Sequence, residues 1–405
     1  MSPSPLEEIG MPFGPVSRFQ PYLSAGSILS SLDVHPFEGS LILDTIGACP
    51  QLLRDLSSNG NKILTCVPNP VDKLLQKFSF SPPNQQILRS VFAEIAASRY
   101  EGQRLELHLQ EMMKSICGQC GKPVYVEKFT WSESKSDLLT KTYNCSCGNG
   151  GEYPVEKVDI ELAAKWERSD GLYRSAAEAH FDGLKGIESS VIRKYFSIYT
   201  PRVLHSLDAL ANRIHDLFVD PDKLECAQLL LLFAADRCSG MWNAEEGNYR
   251  PKLVQTPPNW PETNVWMALT EAYNALFEAR KVGDISSFPE LPTGAGVSLY
   301  SGSFRDLLNE KDLPQFTSIV TVLPRPSQAY WVLSALWSRW ILDCPPETSF
   351  LNVLRRRRFD WAWYSEVLVA MFTRIRQLQP KKPVSCNFII TCLLYTSPSP
   401  RDQRG

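Results

Sequence analysis

Ser40-Leu-Ile-Leu-Asp44-Thr-Ile-Gly47-Ala-Cys-Pro50-Gln-Leu-Leu-Arg-Asp-Leu56 reads as a strand, a turn and a helix. Leu41 to Leu43 form a short apolar run that delivers Asp44 to a turn containing Gly47. Leu52, Leu53 and Leu56 then recur at helical spacing, and Ser57-Ser-Asn-Gly60 is a stop signal. Lys62-Ile-Leu-Thr-Cys-Val67 is a second buried strand. A strand alternating with a helix at this spacing argues a parallel βαβ unit and an α/β fold.

Far along the chain, Ile319-Val-Thr-Val-Leu-Pro324-Arg325-Pro326 is another apolar strand, ending in prolines. Val297 to Ser301 reads as a strand before it, and Gln328 to Leu342 as a Trp-rich helix after it. Between the two halves, residues 84–116 are expected to be helical, because Gln85 to Ala97 carries apolar residues three and four apart. Residues 156–245 hold several helices, separated by Ser169-Asp-Gly171, Tyr199-Thr-Pro201 and Asp220-Pro-Asp222. A loop rich in Pro and Trp is expected over 241–263, followed by an amphipathic helix over 264–277. Residues 1–30 read as an irregular arm, and no internal repeat is present.

A chain of 405 residues with 43% hydrophobic content has room for two or three domains with sizeable cores. No apolar run of about 18 residues occurs, so no membrane span is expected. The start, Met1-Ser-Pro-Ser-Pro-Leu-Glu-Glu8, lacks the features of a signal peptide, so a cytoplasmic location is expected. A net charge of −2 excludes a generally basic nucleic-acid coat but leaves room for a local basic patch. Cys392-Leu-Leu-Tyr-Thr-Ser-Pro-Ser-Pro-Arg-Asp402 resembles a translated sequencing adapter, so 391–405 are expected to be non-native and the true chain to continue past about Ile390.

Four of the eleven cysteines cluster as Cys117-Gly-Gln-Cys120-Gly and Cys145-Ser-Cys147-Gly. Two knuckles of this kind supply four thiolates at the spacing of a zinc ribbon, and the segments between them alternate like a β-hairpin. Structural zinc is the reading, since four thiolates leave no open position; four free thiols are the alternative. The glycines after each pair are expected to free backbone N–H groups for the sulfurs. The remaining cysteines read as small buried hydrophobes.

The order of these features resembles the S-adenosylmethionine-dependent DNA methyltransferases that modify exocyclic amino groups. That family's first strand leads into Asp-Pro-Phe-x-Gly-x-Gly, and here Asp44-Thr-Ile-Gly47-Ala-Cys-Pro50 keeps the acid and one glycine. Asn69-Pro-Val71 resembles the family's Asp-x-Asn-Pro-Val, with Val67 where the acid belongs. The resemblance assigns Asp44, Gly47 and Asn69 to the cofactor. Asp44 as a plain helix N-cap is the alternative. The family's catalytic tetrad, Asp-Pro-Pro-Tyr, becomes Val322-Leu-Pro324-Arg325. The flanks match better: Ser301-Gly-Ser-Phe-Arg-Asp-Leu307 precedes the strand, and the helix from Gln328 to Trp340 follows it. By this likeness Pro324 and Arg325 line the base pocket, the arginine plane stacking on a base.

The resemblance implies a Rossmann-like methyltransferase sheet, with its first half in residues 1–100 and its second in 291–390. A zinc-ribbon insertion occupies 101–155, and a helical insertion suited to target recognition occupies 156–290. The implied function is DNA amino-methylation with S-adenosylmethionine, or a degenerate homologue of that activity. A non-catalytic nucleic-acid-binding or regulatory protein on the same fold is the rival, favoured by Val67 and Val322. Methylation of RNA or a small molecule stays open. Arg355 to Arg358, ahead of Phe359-Asp-Trp-Ala-Trp-Tyr364, is either a phosphate-binding run or a solvated basic face. His35, His108, His180, His205 and His215 show no ligand spacing; Trp337/Trp340 and Trp361/Trp363 read as core or core edge.

Overall fold

A computed structural model describes residues 15–21, 23–31, 40–132, 137–242, 250–378 and 384–390. Half of the expected N-terminal arm, together with His35, Cys392 and the expected non-native tail, lies outside these residues. The strands are β1 (Leu41–Asp44), β2 (Lys62–Cys66), β3 (Arg99–Tyr100), β4 (Gln103–Arg104), β5 (Lys114–Ile116), β6 (Pro123–Trp131), β7 (Leu138–Asn144), β8 (Gly150–Pro154), β9 (Trp260–Thr263), β10 (Asp284–Ser287), β11 (Gly296–Tyr300), β12 (Ser318–Leu323) and β13 (Ser385–Ile390). The chain forms two compact units.

The sheet unit gathers residues 20–68, 282–326 and 364–405. Its six strands run in the order β10-β11-β2-β1-β12-β13. Every pairing is parallel, with Ile42 opposite Ile63 on one side and Ser318 on the other. The interior strands β1 and β12 are buried along their whole length, which is why they read as unbroken apolar runs. Pro50 opens helix Pro50–Ser58 at its first position, where a missing N–H is harmless. That helix buries Leu52, Leu53 and Leu56, each contributing about 2 kcal/mol, and ends at Asn59-Gly60, with Gly60 at φ +85°.

The helical unit gathers residues 1–19, 69–281 and 327–363, and contains all ten tryptophans. Helix Pro221–Arg237 is apolar on every side, with Leu229 to Ala235 wholly buried, as befits a central helix. Beside it Arg18 pairs with Asp236, Nη2 to Oδ1 2.8 Å and Nε to Oδ2 3.1 Å. Trp337 and Trp340 are core, as the sequence suggests, whereas Trp361 is 55% exposed.

Two expectations need correction. The stretch 84–116 is not continuously helical: helix Gln85–Ala97 is followed by the β3–β4 hairpin, helix Leu105–Glu111 and β5. The hairpin turn has Glu101 at φ 48° and Gly102 at φ 84°, and apolar periodicity carries no sign of such a two-residue turn. The Pro- and Trp-rich loop contains β9, which pairs antiparallel with β6, Lys128 opposite Thr263 and Trp131 opposite Trp260. Glu262 on β9 is buried and accepts from Arg202 Nε at 2.6 Å and Trp131 Nε1 at 2.7 Å. With β5 to β8 this makes a five-stranded sheet.

Candidate metal centre and strand-end site

The four sulfurs of Cys117, Cys120, Cys145 and Cys147 all lie within 4.8 Å of one another. Cys117 and Cys147 are 3.9 Å apart, Cys120 and Cys145 3.6 Å. A tetrahedron with zinc–sulfur bonds of about 2.3 Å has edges of about 3.8 Å, so the cage fits a zinc-sized ion. Two similar turns build it. The Cys117 N–H bonds Lys122 O at 2.9 Å and the Gly121 N–H bonds Cys117 O at 2.8 Å. In the second turn the Cys145 N–H bonds Asn149 O at 2.8 Å and the Gly148 N–H bonds Cys145 O at 3.0 Å. Gly121 and Gly148 have φ of 70° and 86°, so the second turn closes in the same way despite its shorter cysteine spacing.

The glycines' own N–H groups go to carbonyls and to the Tyr143 hydroxyl. The groups that serve the sulfurs are others. The Cys120 N–H, with that of Gln119 and the Tyr143 hydroxyl, holds Cys117 down to about 5 against the effect of burial. The Asn149 N–H acts to lower Cys147, but the sulfurs of Cys145, Cys120 and Cys117, together with burial, push it up to about 11. Four crowded thiols cannot all ionise without a cation among them. Buried Lys141 anchors the first turn from behind, donating to Ile116 O at 3.0 Å and pairing with Asp159 at 2.9 Å. The donor set leaves no position for water, so an ion here holds structure only.

In the sheet unit, Asp44 closes β1 and is 1% exposed. Its carboxylate accepts from the Ile46 N–H at 3.2 Å and the Thr65 hydroxyl at 3.1 Å. Burial pushes this carboxyl up to about 6, although the N–H groups of Ile46 and Gly47 and the hydroxyls of Thr65 and Thr321 favour its charge. The Thr45 N–H donates to Thr321 Oγ1 at 2.9 Å, tying the end of β1 to β12. Gly47 has φ +63°, and a Cβ there would lie 2.6 Å from Cys66 O and 2.7 Å from Val67 Cγ2. The turn therefore presses directly on the end of β2. Cys49 occupies the N-cap of helix Pro50–Ser58, so Asp44 is not its cap.

Val322 and Leu323 are buried at the end of β12, and half-buried Pro324 and Arg325 follow them. Asn69 lies in the helical unit. Its Oδ1 accepts the Val71 N–H at 3.0 Å, capping helix Pro70–Phe80, and its Nδ2 donates to Asp72 at 2.8 Å. Asp72 also accepts the Tyr330 hydroxyl. Sequence alone gives no sign of Thr65 and Thr321 beside Asp44, because threonine in a strand reads only as a good β-former. Among the described residues no helix is long and apolar enough to cross a membrane. No protein-family model, no curated protein and no solved structure matches the chain.

Proposed function

We propose that the chain is a degenerate homologue of the S-adenosylmethionine-dependent DNA amino-methyltransferases, its sheet unit being a Rossmann-like methyltransferase sheet. One observation carries the reading. From β1 the chain steps to β2 and later fills β11 and β10 on that side, then crosses to β12 and β13 on the other. The order reverses between β1 and β12, and ligands of parallel α/β sheets bind beyond the strand ends at such a point. Asp44 and Gly47 end β1 there, and Pro324 and Arg325 follow β12. The helical region 156–290 as target reader, a DNA partner, zinc in the four-cysteine cage and a cytoplasmic setting belong to the same proposal. The ten described cysteines, all free of disulfides, support the last.

The fit to the cofactor is incomplete. S-adenosylmethionine would supply an electrophilic methyl group, but the Asp44 carboxylate is already satisfied from within. The Asn69 amide is spent on its cap and Asp72. Val322 offers only hydrocarbon where an amine N–H needs an acceptor. These facts favour the second reading, a non-catalytic nucleic-acid-binding or regulatory protein on the same fold. Calorimetric titration with S-adenosylmethionine separates the two. Micromolar binding that disappears in Asp44→Ala supports the retained cofactor site; no binding leaves the scaffold reading. DNA methylation gained only in Val322→Asp would identify a homologue that lost its chemistry at this position.

A further inference from the structure

The run Arg355-Arg356-Arg357-Arg358 follows the 3-10 segment Ser349–Arg355 in the helical unit, and all four side chains are exposed. Arg355 donates to the carbonyl of Lys185, which brings a fifth exposed cation to the ridge. Among the described residues no carboxylate is recorded pairing with Arg356, Arg357 or Arg358. The nearest acid in sequence, Asp360, accepts the Trp363 N–H at 3.0 Å and so caps the following helix. Next to the ridge, three rings lock edge to face: Trp331 and Trp363 with centroids 4.7 Å apart at 85°, and Phe359 and Trp363 at 5.9 Å and 73°. The Arg356 guanidinium lies on the Trp363 ring, 4.6 Å from its centroid.

We propose that this ridge binds single-stranded nucleic acid. The indole holds the Arg356 plane flat, and the outer face of that plane takes a base by stacking. Arg357 and Arg358, unpaired and exposed, take the flanking phosphates. An acidic peptide carries a ring only where its sequence happens to supply one, whereas every nucleotide sets a base for the guanidinium face beside its phosphate. An anionic membrane would call for rings free to insert, and these are held by one another. The proposal shares a nucleic-acid partner with the function proposed above but none of its chemistry. It would stand if cofactor binding failed, and its own failure would leave the Asp44 titration unaffected.

The test is fluorescence anisotropy of a labelled twenty-nucleotide oligothymidylate with the full chain. Contact with two phosphates gives a salt slope of about −1.4, so raising salt from about 50 to 200 mM weakens binding roughly sevenfold. Arg357→Glu with Arg358→Glu should weaken it by more than about tenfold. Arg356→Lys keeps the charge and loses the plane, and should weaken oligothymidylate several-fold while leaving heparin binding unchanged. These positions are exposed, so circular dichroism should match the parent. Unchanged binding in the double variant, an Arg356→Lys variant equal to the parent, or tighter binding to duplex DNA or to phosphatidylserine vesicles would each overturn the proposal.

Discussion

Replacing Gly47 with alanine tests how tightly the turn after β1 closes on β2. Two effects add. An L-residue at φ +63° is disfavoured by about 1–2 kcal/mol. The new Cβ would also sit 2.6 Å from Cys66 O, a backbone atom that cannot swing aside, and overpacking of this kind costs about 1–3 kcal/mol. Together they cost about 2–5 kcal/mol. Gly60→Ala is the internal control, because Gly60 has φ +85° and nothing within 4 Å of a built Cβ. It should lose only the conformational part, about 1–2 kcal/mol. No tryptophan lies in the sheet unit to report on it directly, since all ten lie in the helical unit. Hydrogen exchange of peptides covering residues 41–67 in a urea series reads the right strands. Equal losses in the two variants would refute the close approach and, with it, the account of why glycine stands at position 47.

Elemental analysis should find one zinc per chain, lost in Cys120→Ser, and chelation should remove exchange protection from β5 to β8; a parent free of zinc would sink the assignment. Burial raises Asp44 in the folded state from 3.8 to about 6, so folding favours its neutral form. The sheet unit should therefore lose stability as pH rises from about 4 to 6, by about 3 kcal/mol in total (2.2 × 1.36), and a parent-minus-Asp44→Asn difference that is flat in pH would refute this. Arg202→Met leaves buried Glu262 without its guanidinium partner and should destabilise the helical unit by about 3–5 kcal/mol in urea melts followed by tryptophan emission; a loss under about 1 kcal/mol would show that Thr200 and Trp131 suffice.

The elements most legible in the sequence were those whose pattern is local. The apolar runs at Leu41 and Ile319 and the spaced leucines of Pro50–Ser58 each carry their own period, and each forms as expected. The two cysteine turns were legible because ligand spacing is itself a local signal. What escaped was set by distant partners. Trp260-Pro-Glu-Thr263 becomes a strand only because β6, about 130 residues earlier, offers an edge, and a proline in the segment hides it further. Thr65 and Thr321, which bond the Asp44 carboxylate, come from β2 and β12, and only the sheet order brings them to it. Trp361 was expected near the core on composition alone, yet it lies on the exposed side of its helix.

The parallel pairing of β1 with β12 has a consequence for synthesis. Ile42 must find Ser318, and a ribosome adding roughly 5–20 residues per second needs about 15–55 s to bridge that interval. During that time β1 and β2 exist with no strand to cover the β12 side, while a long stretch of helical chain emerges between them. Their apolar runs are the part of this protein that a nascent-chain chaperone would have to hold longest, and slowing translation before residue 318 would lengthen the exposure without changing a single contact of the finished fold.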